Sequence, residues 1–113
     1  MKLSTTSLAP HRIILHIEGR LDAETCNTLK RAFHDHSVNG VKFITVEMSQ
    51  VQFVDSSGLS ALISGLKVMR QTNGALNLAA PGTQARSALR LTMLDTVLPV
   101  FETVEEAVAA HSA

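Results

Sequence analysis

Asp55, Ser56, Ser57 and Gly58 bring an acid, two hydroxyls and a glycine to the point where an apolar run ending at Val54 gives way to a helical pattern beginning at Leu59. A strand end feeding a helix start places these side chains beside the unpaired N–H groups and the positive dipole end of the helix. A serine hydroxyl in that position can carry an added phosphate, because that end of a helix stabilises anions. The same residue types are also ordinary N-caps, accepting hydrogen bonds from first-turn amides whether or not anything is attached to them. Spacing alone leaves both roles open, with Ser57 the better candidate for a purely capping or packing role.

Other reactive groupings are weaker. A nucleophilic Ser56 would need the Gly-x-Ser-x-Gly elbow, which is absent, and no histidine stands in a convincing triad order, so an enzyme is not expected. His34 and His36 lie two residues apart and diverge on a helix, which reads as a solvated face and not a metal pair. His11, His16 and His111 have no sequence neighbours suited to ligation. Cys26 is the only cysteine, which excludes an internal disulfide or a thiolate cluster and fits a reducing compartment. Neither a metal nor a cofactor is expected.

The elements that must position Ser56 follow from periodicity. Arg12 to Ile17 is rich in β-branched residues and stops at a Glu18-Gly19 turn, with Lys2 to Leu8 as a weaker strand joined to it through Ala9-Pro10-His11. Asp22 can cap a helix whose apolar stripe is Cys26, Leu29 and Phe33. Val41 to Met48 reads as an inner strand. Leu59, Leu62, Ile63, Leu66 and Met69 mark the buried face of a second helix that ends at Asn73-Gly74. Leu76 to Ala79 is a short strand, and a third helix contains Ala85, Ala88, Leu89 and Met93. Val97 to Phe101 is an edge strand or extended link because of Pro99. Thr103 and Glu106 have capping-box spacing for a last helix. The alternation predicts an α/β fold: one domain over 1–113, with a mixed, mostly parallel sheet of four to five strands and about four helices. Binding sites in such sheets lie beyond the carboxyl ends of the strands, where Asp55 and Ser56 fall. Arg20 and Asp22, near the first helix, could contact a partner there, beside their simpler turn-and-cap role.

Ten basic and ten acidic residues leave no net field, and no Lys/Arg cluster or aromatic series suits base stacking, so nucleic acid is an unlikely partner. The N-terminus lacks the apolar core of a secretory signal and no run approaches a membrane span, so a cytoplasmic location is expected.

The chain resembles the STAS family, whose stand-alone members include the bacterial anti-sigma factor antagonists. The resemblance rests on Gly19-Arg20-Leu21-Asp22-Ala23, the strand Phe43 to Met48, the Val51 to Leu59 segment with its Asp-Ser-Ser-Gly-Leu core, and the Val97-Leu98-Pro99-Val100-Phe101 ending. It implies that Ser56, the first serine after the aspartate, is phosphorylated by a partner that is both an anti-sigma factor and a serine kinase. A PP2C-type phosphatase would reverse the modification. The unmodified form would bind the anti-sigma factor through Asp55, Ser56, Ser57, Gly58, Arg20 and Asp22, and phosphate would end that binding, with Gly58 keeping bulk away from the docking partner. The family also admits an alternative, an accessory subunit docked on an ABC-transporter ATPase or a stress-sensing complex without phosphoswitching. Two positions depart from the family pattern: Glu47 stands where aspartate is frequent, and Leu91 to Asp95 lacks the family glycine.

Overall fold

The computed structural model describes residues 1–112, so the last residue of the expected domain, Ala113, lies outside the described residues. The elements run β1 (Lys2–Ala9), β2 (Arg12–Leu21), α1 (Cys26–Val38), β3 (Phe43–Val54), α2 (Ser56–Gln71), β4 (Ala75–Ala79), α3 (Thr83–Leu91), a 3-10 turn at Leu94–Thr96, β5 (Val100–Phe101) and α4 (Val104–Ser112). The five strands lie in sequence order in one sheet. β1 and β2 form an antiparallel hairpin, and every later pairing is parallel. The mixed, mostly parallel sheet and the four α-helices described agree with the sequence-based expectation.

The two faces of the sheet differ in chemistry. Ile13, Leu15 and Ile17 of β2, Ile44 and Val46 of β3, and Leu76 and Leu78 of β4 are all buried. Alternation puts them on one face, where they meet the apolar stripes of α1 and α2. Burial on this scale, at about 25 cal/mol per Å² of apolar area, is what holds the helices to the sheet. The ring of Phe33 on α1 lies so close to Gly65 on α2 that a Cβ there would come within 2.5 Å of it. The Phe33 ring therefore fills the space at this crossing that a side chain on α2 would otherwise take.

On the opposite face α4 covers the β3–β4 end through polar contacts. The buried Thr45 hydroxyl donates to Asn77 Oδ1 at 2.9 Å, and Asn77 Nδ2 donates to the Ala107 carbonyl at 2.8 Å. His111 Nε2 meets the Ile44 carbonyl at 3.1 Å, and its ring tilts against Phe43. Burial pulls the His111 imidazole below its ordinary pKa despite that carbonyl.

Several boundaries differ from the sequence reading. β2 continues through Glu18-Gly19 to Leu21 because Gly19 takes φ +106 within the strand and no turn forms. β3 likewise runs on from Met48 to Val54, carrying one extra residue between Glu47 and Gln50 and another between Val51 and Phe53 relative to β2. Asp22 does not cap α1. Its Oδ1 accepts from the Glu24 amide at 3.0 Å and its own amide donates to Thr25 Oγ1 at 2.9 Å, so a turn occupies 22–25 and α1 starts later, at Cys26. α2 ends at Gln71, and Asn73 takes the left-handed conformation. Gly74 serves close approach instead, since a Cβ there would stand 2.0 Å from the Lys42 carbonyl oxygen. Half of the Thr103–Glu106 capping box forms: Glu106 N donates to Thr103 Oγ1 at 3.2 Å, while Glu106 Oε1 accepts from the Thr103 hydroxyl at 3.1 Å and not from its amide.

Met93 also falls outside its expected helix. α3 stops at Leu91, and Met93 adopts φ +59 and is 67% exposed. A left-handed conformation disfavours a side chain by about 1–2 kcal/mol, so glycine is the natural residue at this corner. The family glycine absent from Leu91 to Asp95 would fit here. Met93→Gly should therefore raise Tm by about 3 °C, less the extra entropy that glycine loses on folding. A lowered Tm in a thermal melt would show that the methionine side chain makes a compensating contact.

Candidate functional site

Asp55 directly follows β3 and takes the N-cap position of α2 in extended conformation. Its amide donates to the Leu21 carbonyl of β2 at 3.2 Å, its Oδ1 accepts from Gly58 N at 3.0 Å, and its carbonyl accepts from Leu59 N at 2.9 Å. Cap and anchor are thus both supplied by Asp55. Ser56 is the first helical residue and is exposed, while Ser57 behind it is half-buried. The Ser56 and Ser57 amides, in the first turn, have no intrahelical acceptor. An exposed hydroxyl therefore stands at the positive end of a helix whose capping is done by its neighbour.

Gly58 is buried, and a Cβ on it would lie 2.3 Å from the Leu21 carbonyl oxygen and 2.8 Å from Leu21 Cγ. The absence of a side chain lets the first turn of α2 rest on the end of β2.

The pairing of Leu21 with Val54 brings Arg20 and Asp22 alongside the Ser56 segment. The Arg20 guanidinium stacks over Phe53 at 4.5 Å from the ring centroid, and Arg20 Nε donates to Asp22 Oδ2 at 3.4 Å. What burial there is works against the charge on Asp22, but the Glu24 amide, Arg20 and Thr25 outweigh it and hold this carboxyl below its ordinary pKa. The six sequence-derived site residues thus occupy adjoining strand and helix ends.

Sequence reasoning missed a second polar grouping, on the open part of the other sheet face. Thr6 Oγ1 lies 2.8 Å from His16 Nε2, and His16 Nδ1 lies 3.5 Å from Glu47 Oε1. Glu47 Oε2 in turn accepts from the Ser49 amide. An ionised Glu47 can only accept, so in the neutral imidazole the proton is on Nδ1 and Nε2 accepts from the threonine hydroxyl. Thr6, His16 and Glu47 line a cavity of about 300 Å³ together with Lys2 and Gln50. Partial burial pushes the Glu47 carboxyl upward, yet hydrogen bonds from Ser49 and His16 prevail and leave its pKa below the ordinary glutamate value. The available signal was period two: His16 and Glu47 each interrupt an apolar strand at a position facing the same side. Gln84, also missed, reaches Val54 from α3. Among the described residues no group of three or more His, Cys, Asp or Glu could hold a metal ion, and no helix is long and apolar enough to cross a membrane.

Comparison with known proteins gives three findings. Residues 5–107 match the family model of the STAS domain. A Thermotoga maritima protein provisionally named an anti-sigma factor antagonist is 28% identical over 96 residues, covering 84% of this chain and 85% of its own length. Among solved structures, the crystal structure of a Thermotoga maritima protein with the same provisional name superposes with a TM-score of 0.90 at 23% identity, over 98% of this chain and 95% of that one. The phosphorylated form of the Bacillus cell fate determinant SpoIIAA gives 0.74 at 17% identity, over 96% and 98%.

Gly58→Ala should destabilise the chain by about 2–3 kcal/mol in urea unfolding, because overpacking against a backbone carbonyl exceeds the gain of about 1 kcal/mol in helix propensity. For Glu47, the folded pKa lies below the unfolded one, so its stabilisation is complete above about pH 4.3 and is lost as pH falls through the folded value. Glu47→Gln should thus cost about 1–2 kcal/mol at neutral pH and flatten the acid limb of the stability curve. Equal acid limbs for the two proteins would contradict this role.

Proposed function

This chain belongs to the STAS domain family, and on that footing we propose that it works as an anti-sigma factor antagonist, a regulatory binding protein switched by phosphorylation of Ser56. The observation that carries this reading is the division of labour at the start of α2. Asp55 does the capping and Ser56 is left exposed. The motif's two sequence-level roles thereby fall to different residues, and the hydroxyl is free for modification.

The partner in this reading is an anti-sigma factor that is also a serine kinase, with a PP2C-type phosphatase restoring the unmodified state. The neutral hydroxyl docks together with Asp55, Ser57, Arg20 and Asp22. Phosphate would add about −1.5 to −2 charges at the centre of that surface, beside the Asp55 carboxylate. First-turn amides can stabilise the added charge within the folded domain, whereas a partner surface shaped for a hydroxyl would face an uncompensated charge. Modification therefore changes binding and leaves the fold in place. The provisional name of the Thermotoga maritima relative and the fold likeness to phosphorylated SpoIIAA both support this reading. It describes a cytoplasmic regulator of transcription that catalyses nothing itself.

Incubation with the ATP-dependent kinase that co-purifies from the native host tests it. Wild type and Ser57→Ala should gain one phosphoryl group by intact-mass measurement, and Ser56→Ala should gain none while still binding. Ser56→Asp should weaken binding at least about tenfold, equivalent to ~1.4 kcal/mol. Undiminished phosphorylation of Ser56→Ala would move the switch elsewhere.

A further inference from the structure

The β3–β4 ladder ends at the Glu47–Ala79 pair, because β4 stops there while β3 continues to Val54. Beyond that point β3 has β2 on one edge and no paired strand on the other. At the far end of this overhang, one residue before the Asp55 cap, a side chain takes the place of the missing strand. Val54 N donates to Gln84 Oε1 at 2.8 Å, and Gln84 Nε2 donates to the Val54 carbonyl at 2.8 Å. A primary carboxamide presents one acceptor and one donor side by side, as a neighbouring strand does, and it satisfies both backbone groups of a single residue. The next amide, that of Asp55, turns the other way and bonds to Leu21 of β2. The peptide leading into Ser56 is therefore gripped from both edges. Gln84 belongs to the first turn of α3, which begins at Thr83 after the Gly82 N-cap.

We propose that Gln84 is a positioning residue for Ser56: its carboxamide fixes the end of β3, and with it the direction in which α2 presents the serine hydroxyl. The proposal rests on Ser56 being the docking and phosphorylation site, and it makes α3 the element on which that presentation depends. Without Gln84, Val54 would exchange two protein hydrogen bonds for water, and the Asp55–Ser56 segment would keep only its Leu21 anchor and its own cap.

The test compares the full chain with Gln84→Met, which keeps length and apolar stem but makes no paired hydrogen bond, and with Gln84→Glu. Amide exchange followed by NMR should show protection at Val54, Asp55 and Gly58, the bonded amides on either side of the serines, falling about five- to tenfold in Gln84→Met, with the core amides of Ile44 and Val46 unchanged. Gln84→Glu should show the same loss at neutral pH, where a carboxylate faces the Val54 carbonyl. It should regain protection, relative to wild type at the same pH, below about pH 4.3, where the protonated carboxyl again offers one donor and one acceptor. A purely packing role for Gln84 would show no such recovery. With the host kinase, phosphoryl transfer to Gln84→Met should lose several-fold in kcat/KM, mainly through KM. Unchanged Asp55 and Gly58 protection in Gln84→Met, or lost protection with an unchanged kcat/KM, would overturn the proposal. If wild type itself takes up no phosphate at Ser56, the functional reading fails. The exchange data still decide whether Gln84 holds the segment.

Discussion

The first turn of α2 begins in direct contact with the end of β2, and this close approach governs the rest of the molecule. Two backbone facts make it possible: the Asp55 amide bonds to the Leu21 carbonyl, and Gly58 offers no Cβ to that same oxygen. A larger residue at Gly58 would lift the helix from the sheet. Leu59, Leu62 and Leu66 would then leave the apolar face built by β2, β3 and β4. The helix that presents Ser56 is thus oriented by the same contact that seats its leucines in the core. Site geometry and core packing cannot vary independently here.

The two faces of the sheet divide the remaining work. The apolar face excludes water and supplies most of the driving force for folding. On the other face polar groups satisfy one another in rows across the strands, Thr45 with Asn77 buried under α4 and Thr6 with His16 and Glu47 in the open. Buried polar groups cost most when left unpaired, so such rows specify strand register more than they add stability. Glu47 contributes in a second way, since its carboxylate takes up the Ser49 amide where the first extra residue of β3 departs from the β2 pairing.

Much of this was legible in the residues. Apolar periodicity located the sheet and helices, and the type order Asp-Ser-Ser-Gly located the strand-to-helix junction. What escaped depended on contacts distant in sequence. Gly19 and Asp22 read as a turn and a cap from their types, but β3 pairs far enough along β2 to carry the strand through one and displace the other. Gly58 reads as a small residue near a reactive site, and only its approach to Leu21 shows what the smallness is for. Gln84 is a polar residue in the first turn of an amphipathic helix, and nothing local marks its tie to Val54, thirty positions earlier. The Met93 corner was half visible: a glycine was missing from the family pattern, but the left-handed backbone that glycine would relieve was not.

The two extra residues of β3 have a consequence for length. Residues facing the apolar side run Ile44, Val46 and Met48, then Val51, then Val54, so each extra residue inverts the alternation and the second restores it. Loss of one residue at either irregular step would make that step regular and leave Val54, Asp55 and Ser56 facing as they do. Loss of a residue from the evenly paired stretch, such as Val46, would put Glu47 in its place on the apolar side and turn the side chains over as far as the first irregular step. β3 therefore contains its own tolerance for insertion and deletion, confined to the few positions just ahead of the serine. Length variation among related chains can collect there without disturbing the junction that follows.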